Sequence, residues 1–170
     1  MEATLDIEFL RGLDPEPITK ELALVSDGVL QTFHFRSPYP MNLHRSKDSG
    51  LNWSDDHISY YQLHTVLNEI TANFDHLYAY GSEKCEILNL QLKRTIHDYE
   101  DLKCLDPNKL KSDFRCCLTC QSFPHMRCAT RNAVACHNWL RYHFITKIYI
   151  SCPKDNTRHT TEFASGIQKN

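Results

Sequence analysis

The residues best suited to chemistry lie in one stretch late in the chain, where cysteine and histidine recur at short intervals. Cys117-x2-Cys120-x4-His125-x2-Cys128 places four thiol or imidazole groups within twelve positions. Structural zinc sites draw four such donors from closely spaced residues and arrange them as a tetrahedron. The spacing therefore predicts a structural zinc ion, with Cys116 as an alternative to Cys117. The competing interpretation is a set of buried thiols, because free cysteine packs as a small apolar residue.

A pair of carboxylates near the start of the sequence forms a second candidate site. Leu5 to Leu10 alternates in polarity with a period of two, which predicts a strand that carries Asp6 and Glu8 on one face. Two carboxylates on one face are suited to a divalent metal ion. The alternative interpretation is the polar face of an amphipathic edge strand.

Basic residues are concentrated in the last third of the chain, where they could follow a phosphate backbone. A solvated helix face explains the same residues equally well. The chain as a whole has 19 Lys and Arg against 21 Asp and Glu, which excludes the strong positive field of a dedicated nucleic-acid binder. Any nucleic-acid contact is therefore expected from a local patch. Its basic residues are Arg127, Arg131 and Arg141, with Lys111, Arg115 and Lys147 nearby.

The start of the sequence is acidic and lacks an apolar segment, and no run approaches the 18 apolar residues of a membrane span. We therefore expect an intracellular protein, cytoplasmic or nuclear, with no membrane partner. Reducing compartments keep cysteines as thiols. The cysteines outside the zinc stretch are accordingly expected to be structural: Cys85, Cys104, Cys136 and Cys152.

The elements that must position these groups follow from hydrophobic periodicity and turn residues. Three strands joined by short turns predict an antiparallel meander, and alternating helices and strands follow it. This order predicts an α/β fold with a mixed sheet. The predicted strands lie at 5–10, 21–25, 29–36, 76–80 and 95–99. Helices are predicted to begin near Ser59, Cys85 and Ala129, with a short helix or turn from Asp106. Residues 1–148 form the expected domain, with the zinc loop at 116–128, and 149–170 a polar, flexible tail.

Three features carry a family resemblance: the order of elements, the Asp6-x-Glu8 pair on the first strand, and Ala129-x-x-Asn132-Ala133 at the start of the last helix. They resemble the DnaQ-type (DEDDh) exonuclease branch of the ribonuclease H-like fold. Four segments are also notable: Leu5-Asp6-Ile7-Glu8-Phe9, Lys20-Glu21-Leu22-Ala23, Tyr80-Gly81-Ser82-Glu83-Lys84 and Cys128-Ala129-x-x-Asn132-Ala133. Together they look like an uncharacterised arthropod family, often found with mobile elements, that shares this fold. The cysteine and histidine loop is similar to the zinc site of the Maelstrom domain, which acts in small-RNA silencing. That likeness makes a carboxylate such as Glu83 an alternative ligand to His125.

The departures from the exonuclease pattern affect catalysis. Enzymes of the DEDDh type hold two metal ions with four carboxylates and use a histidine as the base. Asp6 and Glu8 match the first two carboxylates, whereas Asn132 stands at the last and Arg127 at the histidine. The nearest candidates for the third carboxylate are Asp75 and Glu83, neither in the expected setting. The resemblance therefore implies a degenerate catalytic site made of Asp6, Glu8 and Asn132.

Three functions are consistent with these patterns. The first is a zinc-stabilised, catalytically degenerate exonuclease-like domain that binds single-stranded RNA, or serves as a scaffold with protein partners in a silencing or mobile-element complex. The second is an active nuclease in which Asp6 and Glu8 bind Mg²⁺ or Mn²⁺. The third is a protein-interaction module that retains only the fold and the zinc.

Overall fold

The computed structural model of the protein describes residues 1–11, 17–38, 58–110 and 128–151, with side chains to His143 in the last range. The elements are named here in chain order: β1 (Glu2–Arg11), β2 (Pro17–Ser26), β3 (Val29–Arg36), β4 (Ile58–Ser59), α1 (Leu63–Thr71), β5 (His76–Ala79), α2 (Ser82–Leu92), β6 (Ile96–Asp98) and α3 (Ala129–Ser151). A single 3-10 turn at Tyr60–Gln62 precedes α1, and another at Pro107–Lys109 follows β6.

The six strands form one mixed sheet in the order β4-β3-β2-β1-β5-β6. β1, β2 and β3 pair antiparallel in sequence, which confirms the predicted meander, and Gly28 in the turn between β2 and β3 has a φ of 77°. β5 pairs parallel to the other side of β1, and β6 pairs parallel to β5. β1 is therefore a central strand. The interpretation of Asp6 and Glu8 as the polar face of an edge strand is wrong.

The two faces of the sheet are covered by different helices. On one face, Leu5, Ile7, Leu22 and Leu24 pack with side chains from α1 and α2 in the largest hydrophobic cluster. On the other face, α3 lies over β1 and β2. Its residues Ala129, Ala133 and Val134 pack against Ala23 and Val25. A side chain of β1 that points towards α3 is consequently enclosed between a sheet and a helix.

The predicted elements are present, with boundaries that differ by a few residues. β2 begins at Pro17 and not at Glu21, and α2 begins at Ser82, three residues before the predicted start. The last helix continues to Ser151, beyond the expected domain boundary at 148. Residues 152–170 and the zinc loop up to 127 lie outside the described residues. In the described ranges, no helix combines the length and the apolar character that a membrane crossing requires.

Candidate functional site

The site is built on β1, whose alternate side chains point towards α3. Asp6 and Glu8 are 2% and 4% exposed, respectively, so both carboxyl groups are buried between the sheet and the helix. Thr4 lies on the same face, where its hydroxyl contacts the Tyr99 hydroxyl at 2.5 Å and His137 Nδ1 at 3.2 Å. Burying two carboxylates is unfavourable unless positive charge or hydrogen-bond donors compensate them.

The compensating charge comes from Lys84 in the first turn of α2. Its Nζ donates to both oxygens of Asp6 at 2.9 Å and to Glu8 Oε1 at 3.0 Å. A cation in the first turn of a helix is disfavoured by the helix dipole. Gly81, with a φ of 94°, precedes the helix, and its amide donates to Asp98 Oδ1 at 3.0 Å. The strand-to-helix junction thus holds Lys84 where the two carboxylates outweigh the dipole.

Asn132, one turn into α3, supplies the remaining hydrogen-bond donor. Its Nδ2 lies 3.3 Å from Asp6 Oδ2 and 3.3 Å from Glu8 Oε1. The side chain is 7% exposed, and its Oδ1 finds no hydrogen-bond partner among the described residues. An aspartate here would add a third negative charge beside two buried carboxylates, whereas the amide donates to both. The asparagine amide thus helps to compensate the two buried carboxylates.

Burial controls the protonation of this group. Burial raises the pKa of Asp6, the Lys84 ammonium lowers it and the Glu8 carboxylate raises it, with a net result of about 7. The pKa of Lys84 is also raised: burial acts to lower it, but the attraction of Asp6 and Glu8 prevails. Lys84 therefore stays charged, and Asp6 gains or loses a proton near neutral pH.

An open cavity of about 190 Å³ adjoins these side chains. At roughly 30 Å³ per molecule it has room for about six waters, so it suits a small polar group better than a drug-sized ligand. Burial raises the pKa of Tyr80 to about 12, which keeps the phenol protonated as a hydrogen-bond donor. The cavity is lined by Asp6, Glu8, Tyr80, Lys84, Asp106, Pro107, Asn108 and Asn132.

A third buried carboxylate, Glu21 of β2, lies directly opposite Glu8 in the sheet. Glu21 accepts hydrogen bonds from the Ala129 amide at 3.2 Å and the Thr130 hydroxyl at 3.3 Å. The Cys128 thiol donates to the same carboxylate at 3.6 Å. Glu21 thus stabilises the first turn of α3, where unpaired amides and the helix dipole favour an anion.

The residues predicted to bind metal are placed differently. Of the four predicted zinc ligands, only Cys128 is described, and its side chain is buried beside Glu21. Cys117, Cys120 and His125 lie outside the described residues. Glu83, the alternative carboxylate ligand, forms an ion pair with Arg11 and is 53% exposed. In the described ranges no three His, Cys, Asp or Glu side chains are grouped to hold a metal ion.

Of the predicted nucleic-acid contacts, the two within the described residues, Arg131 and Arg141, lie apart on α3. Arg131 Nη2 lies 3.5 Å from Asn108 Oδ1 at the cavity rim. Arg141 pairs with Asp27 at 3.1 Å, roughly 15 Å further along the helix at 1.5 Å per residue. Arg127 falls outside the described part of the chain.

Sequence reasoning missed the role of Lys84. Asp75, considered for the third carboxylate, pairs with the amino group of Met1, and neither it nor Glu83 lines the cavity. The local signal was a lysine at the start of a helix. The helix follows a strand, and Gly81 and Ser82 stand just before the lysine. That position faces the same end of the sheet as Asp6 only because β5 pairs parallel to β1.

Compared with models of known protein families and with curated proteins, the chain matches none of them.

Proposed function

We propose that the chain is a ribonuclease H-like, exonuclease-like domain that has lost its two-metal centre and acts by binding. Apart from the two-residue β4, its strands follow the order β3-β2-β1-β5-β6, with only β2 antiparallel to its neighbours. This arrangement is the one expected of the ribonuclease H-like fold. Further support comes from Asp6 and Glu8 on the central strand facing Asn132 of the last helix.

The observation that carries the proposal is the position of the Lys84 ammonium. It lies within 3.0 Å of three carboxylate oxygens, which is where a divalent ion would contact Asp6 and Glu8. A metal ion bound there would have to displace a lysine that is already paired in a buried setting. Metal-assisted hydrolysis needs such an ion to stabilise the phosphate and generate the nucleophile. The domain is therefore proposed not to cleave nucleic acid.

The proposed ligand is single-stranded RNA, and the proposed setting is RNA or transposon control. Phosphate contacts would come from basic side chains of α3, because Arg131 already reaches the cavity rim through Asn108. The small cavity would hold one polar group of the ligand, with Tyr80 as a donor. Because binding to phosphates releases counterions, affinity should fall steeply as salt is raised.

A zinc ion is proposed to join the loop before α3 to the sheet. The donor chemistry fits, because a thiolate such as Cys128 and a carboxylate such as Glu21 are both ordinary zinc ligands and would hold the ion together. Cys128 Sγ and Glu21 Oε1 are 3.6 Å apart. Glu21 is thus a better candidate than Glu83 for a carboxylate ligand. Bound zinc would contribute folding free energy directly.

One experiment tests the proposal by measuring both the cleavage and the binding of end-labelled single-stranded RNA and DNA. Each substrate is assayed in EDTA, in Mg²⁺ and in Mn²⁺. Wild type is expected to retain RNA at low salt and leave it intact in all three solutions. Asp6→Ala/Glu8→Ala is the comparison, because it removes the carboxylates of any active nuclease. Divalent-dependent cleavage by wild type that this variant lacks would refute the proposal in favour of an active enzyme.

A protein-interaction module is the second candidate, and one surface favours it. Tyr61 is 86% exposed just before α1, where it lines an open cavity of about 220 Å³ together with Tyr60 and Leu63. Exposed apolar surface at an open groove marks protein-protein contacts or ligand-binding sites. Failure to retain labelled RNA at low salt would favour this candidate.

A further inference from the structure

The cavity beside Lys84 offers a ligand few hydrogen-bond donors. All three N–H groups of the Lys84 ammonium are directed at oxygens of Asp6 and Glu8. Asn132 Nδ2 lies 3.3 Å from each of the same two carboxylates, so its two N–H groups are used as well. The Tyr80 hydroxyl is a further donor at the cavity wall. A ligand that needs several donors from the protein is therefore poorly served here.

Acceptors, in contrast, are in excess on three side chains that line the same cavity. The side-chain hydrogen bonds of Glu8 to described residues both end on Oε1, and those of Asp106 both end on Oδ1. The second oxygen of each carboxylate is left for a ligand or water. Asn132 is 7% exposed, and its Oδ1 has no hydrogen-bond partner in the described part of the chain. A buried acceptor without a partner is unfavourable, so an N–H group placed among these oxygens would be stabilised.

Charge and size limit which part of an RNA strand can enter. Asp6, Glu8 and Asp106 all line the cavity, against the one ammonium of Lys84 among its lining residues. A phosphate would be repelled by these carboxylates, because charges interact strongly in a partly buried setting. The volume of about 190 Å³ corresponds to roughly six waters, whereas a base ring system needs the space of about four. A base therefore fits, while its phosphate stays outside.

We infer that the cavity binds an unpaired base of the RNA by its exocyclic amino group, and therefore prefers cytosine and adenine to uracil. The inference rests on the proposed RNA-binding function and adds the part of the ligand that the cavity holds. The amino group would donate to the spare oxygens of Glu8, Asp106 or Asn132. The Tyr80 hydroxyl would donate to the ring nitrogen beside that amino group. The phosphate would lie at the rim near Arg131.

Uracil matches the same acceptors less well. On its base-pairing edge it presents one N–H group and two carbonyl oxygens, whereas cytosine presents an amino group with two N–H groups next to an acceptor nitrogen. A uracil carbonyl would therefore face the acceptors that the amino group satisfies. Sites that hydrogen-bond an N–H group reject analogues that lack it, because the buried polar groups are then left unpaired.

Retention of single-stranded oligocytidine and oligouridine by the full chain at low salt tests the inference. The two bases have the same ring size and differ at the edge that the cavity would contact. Wild type should bind oligocytidine about tenfold more tightly, which is the discrimination expected of one base-edge contact. Both strands have the same backbone charge, so phosphate contacts contribute equally to the two affinities.

Asp106→Asn is the variant that replaces an acceptor by a donor at the cavity. Its Oδ1 would still accept from the Asn108 amide, because asparagine caps as well as aspartate, but an NH₂ group would replace the second oxygen. The preference for oligocytidine should then be lost or reversed. Asp101→Asn is the matched control, since it removes the same charge from an exposed residue outside the cavity lining and should keep the preference. Circular dichroism would establish that both variants are folded.

Equal retention of the two strands by wild type would overturn the inference and leave the proposed function in place. Retention of neither strand would overturn both. A preference for oligocytidine that persists in Asp106→Asn would also overturn the inference, because the amino group would then be recognised elsewhere.

Discussion

Replacing Lys84 by methionine removes the internal cation while keeping a side chain of similar length. The ammonium contacts Asp6 and Glu8 at 2.9 to 3.0 Å, and its side chain is 18% exposed against 3% and 5% for the two acids. Without it, two buried carboxylates would face each other with only the Asn132 amide as a donor to both.

Removing one member of a buried ion pair costs about 3–5 kcal/mol, because the remaining charge is left uncompensated. For a chain of 170 residues, each kcal/mol lowers the melting temperature by about 2–4 °C, so the expected fall at pH 8 is roughly 12 °C. The fall should be smaller at pH 6. The pKa of Asp6 is already about 7, and loss of the ammonium raises it further, so Asp6 takes up a proton and the repulsion ends.

The assay is thermal unfolding of wild type and Lys84→Met at pH 6 and pH 8, monitored by circular dichroism. Lys109→Met is the matched control, because it removes the same charge from an exposed position in the short turn after β6. A titration with Mn²⁺ at pH 8 completes the experiment, since an ion that binds only the folded state raises its stability. Mn²⁺ should stabilise Lys84→Met and leave wild type unchanged.

Equal stability of Lys84→Met and wild type at pH 8 would refute the reasoning, because no buried ion pair could then be present. The Mn²⁺ prediction would be refuted if Mn²⁺ stabilised wild type to the same extent as Lys84→Met. It would mean that a divalent ion binds without displacing the lysine.

Three further predictions concern the carboxylates and the zinc. The pKa of Asp6 is raised from 3.8 to about 7 in the folded state, so its contribution to stability is complete below pH 3.8 and is lost as the pH rises through 7. In urea unfolding, the free energy of unfolding of wild type should therefore fall by about 2 kcal/mol between pH 5 and 7, whereas that of Asp6→Asn should not. Parallel pH profiles of the two proteins would contradict this. Glu21→Ala should cost about 2 kcal/mol in the same assay, because it leaves buried donors at the start of α3 unpaired; an unchanged midpoint would exclude that role. Cys128→Ser should lower zinc, measured by mass spectrometry, from about one ion per chain to near zero and reduce the melting temperature; a metal-free, fully folded wild type would contradict the zinc site.

The elements could be predicted from sequence because their signals are local. The alternation of Leu5 to Leu10, the Asp27-Gly28 turn and the helical spacing of Leu63, Leu67 and Ile70 each follow from neighbouring residues. Strand order is not local, so the sequence left open whether β1 was central or at an edge. That choice decided whether Asp6 and Glu8 were solvated or buried.

The site was only half predictable for the same reason. Asp6 and Glu8 were found because two acids with a spacing of two share a face of one strand. Lys84 lies 76 residues from Glu8, and the two meet only through the parallel pairing of β1 with β5. The residues around a lysine near the start of a helix do not indicate which side chains it will contact. Lys84 compensates the carboxylates of Asp6 and Glu8, and the sequence does not reveal that these two groups are buried.

The bonding capacity of the Lys84 ammonium limits what the site can do. A lysine has three N–H donors and no acceptor, and three carboxylate oxygens of Asp6 and Glu8 lie within 3.0 Å of its nitrogen. A magnesium ion in the same place would accept about six oxygen ligands and could join the protein to a phosphate and to water at once. All three N–H donors of the ammonium are directed at carboxylate oxygens of the protein itself. Lys84 can thus replace the charge of a metal ion, but it cannot form the bridge between protein and substrate.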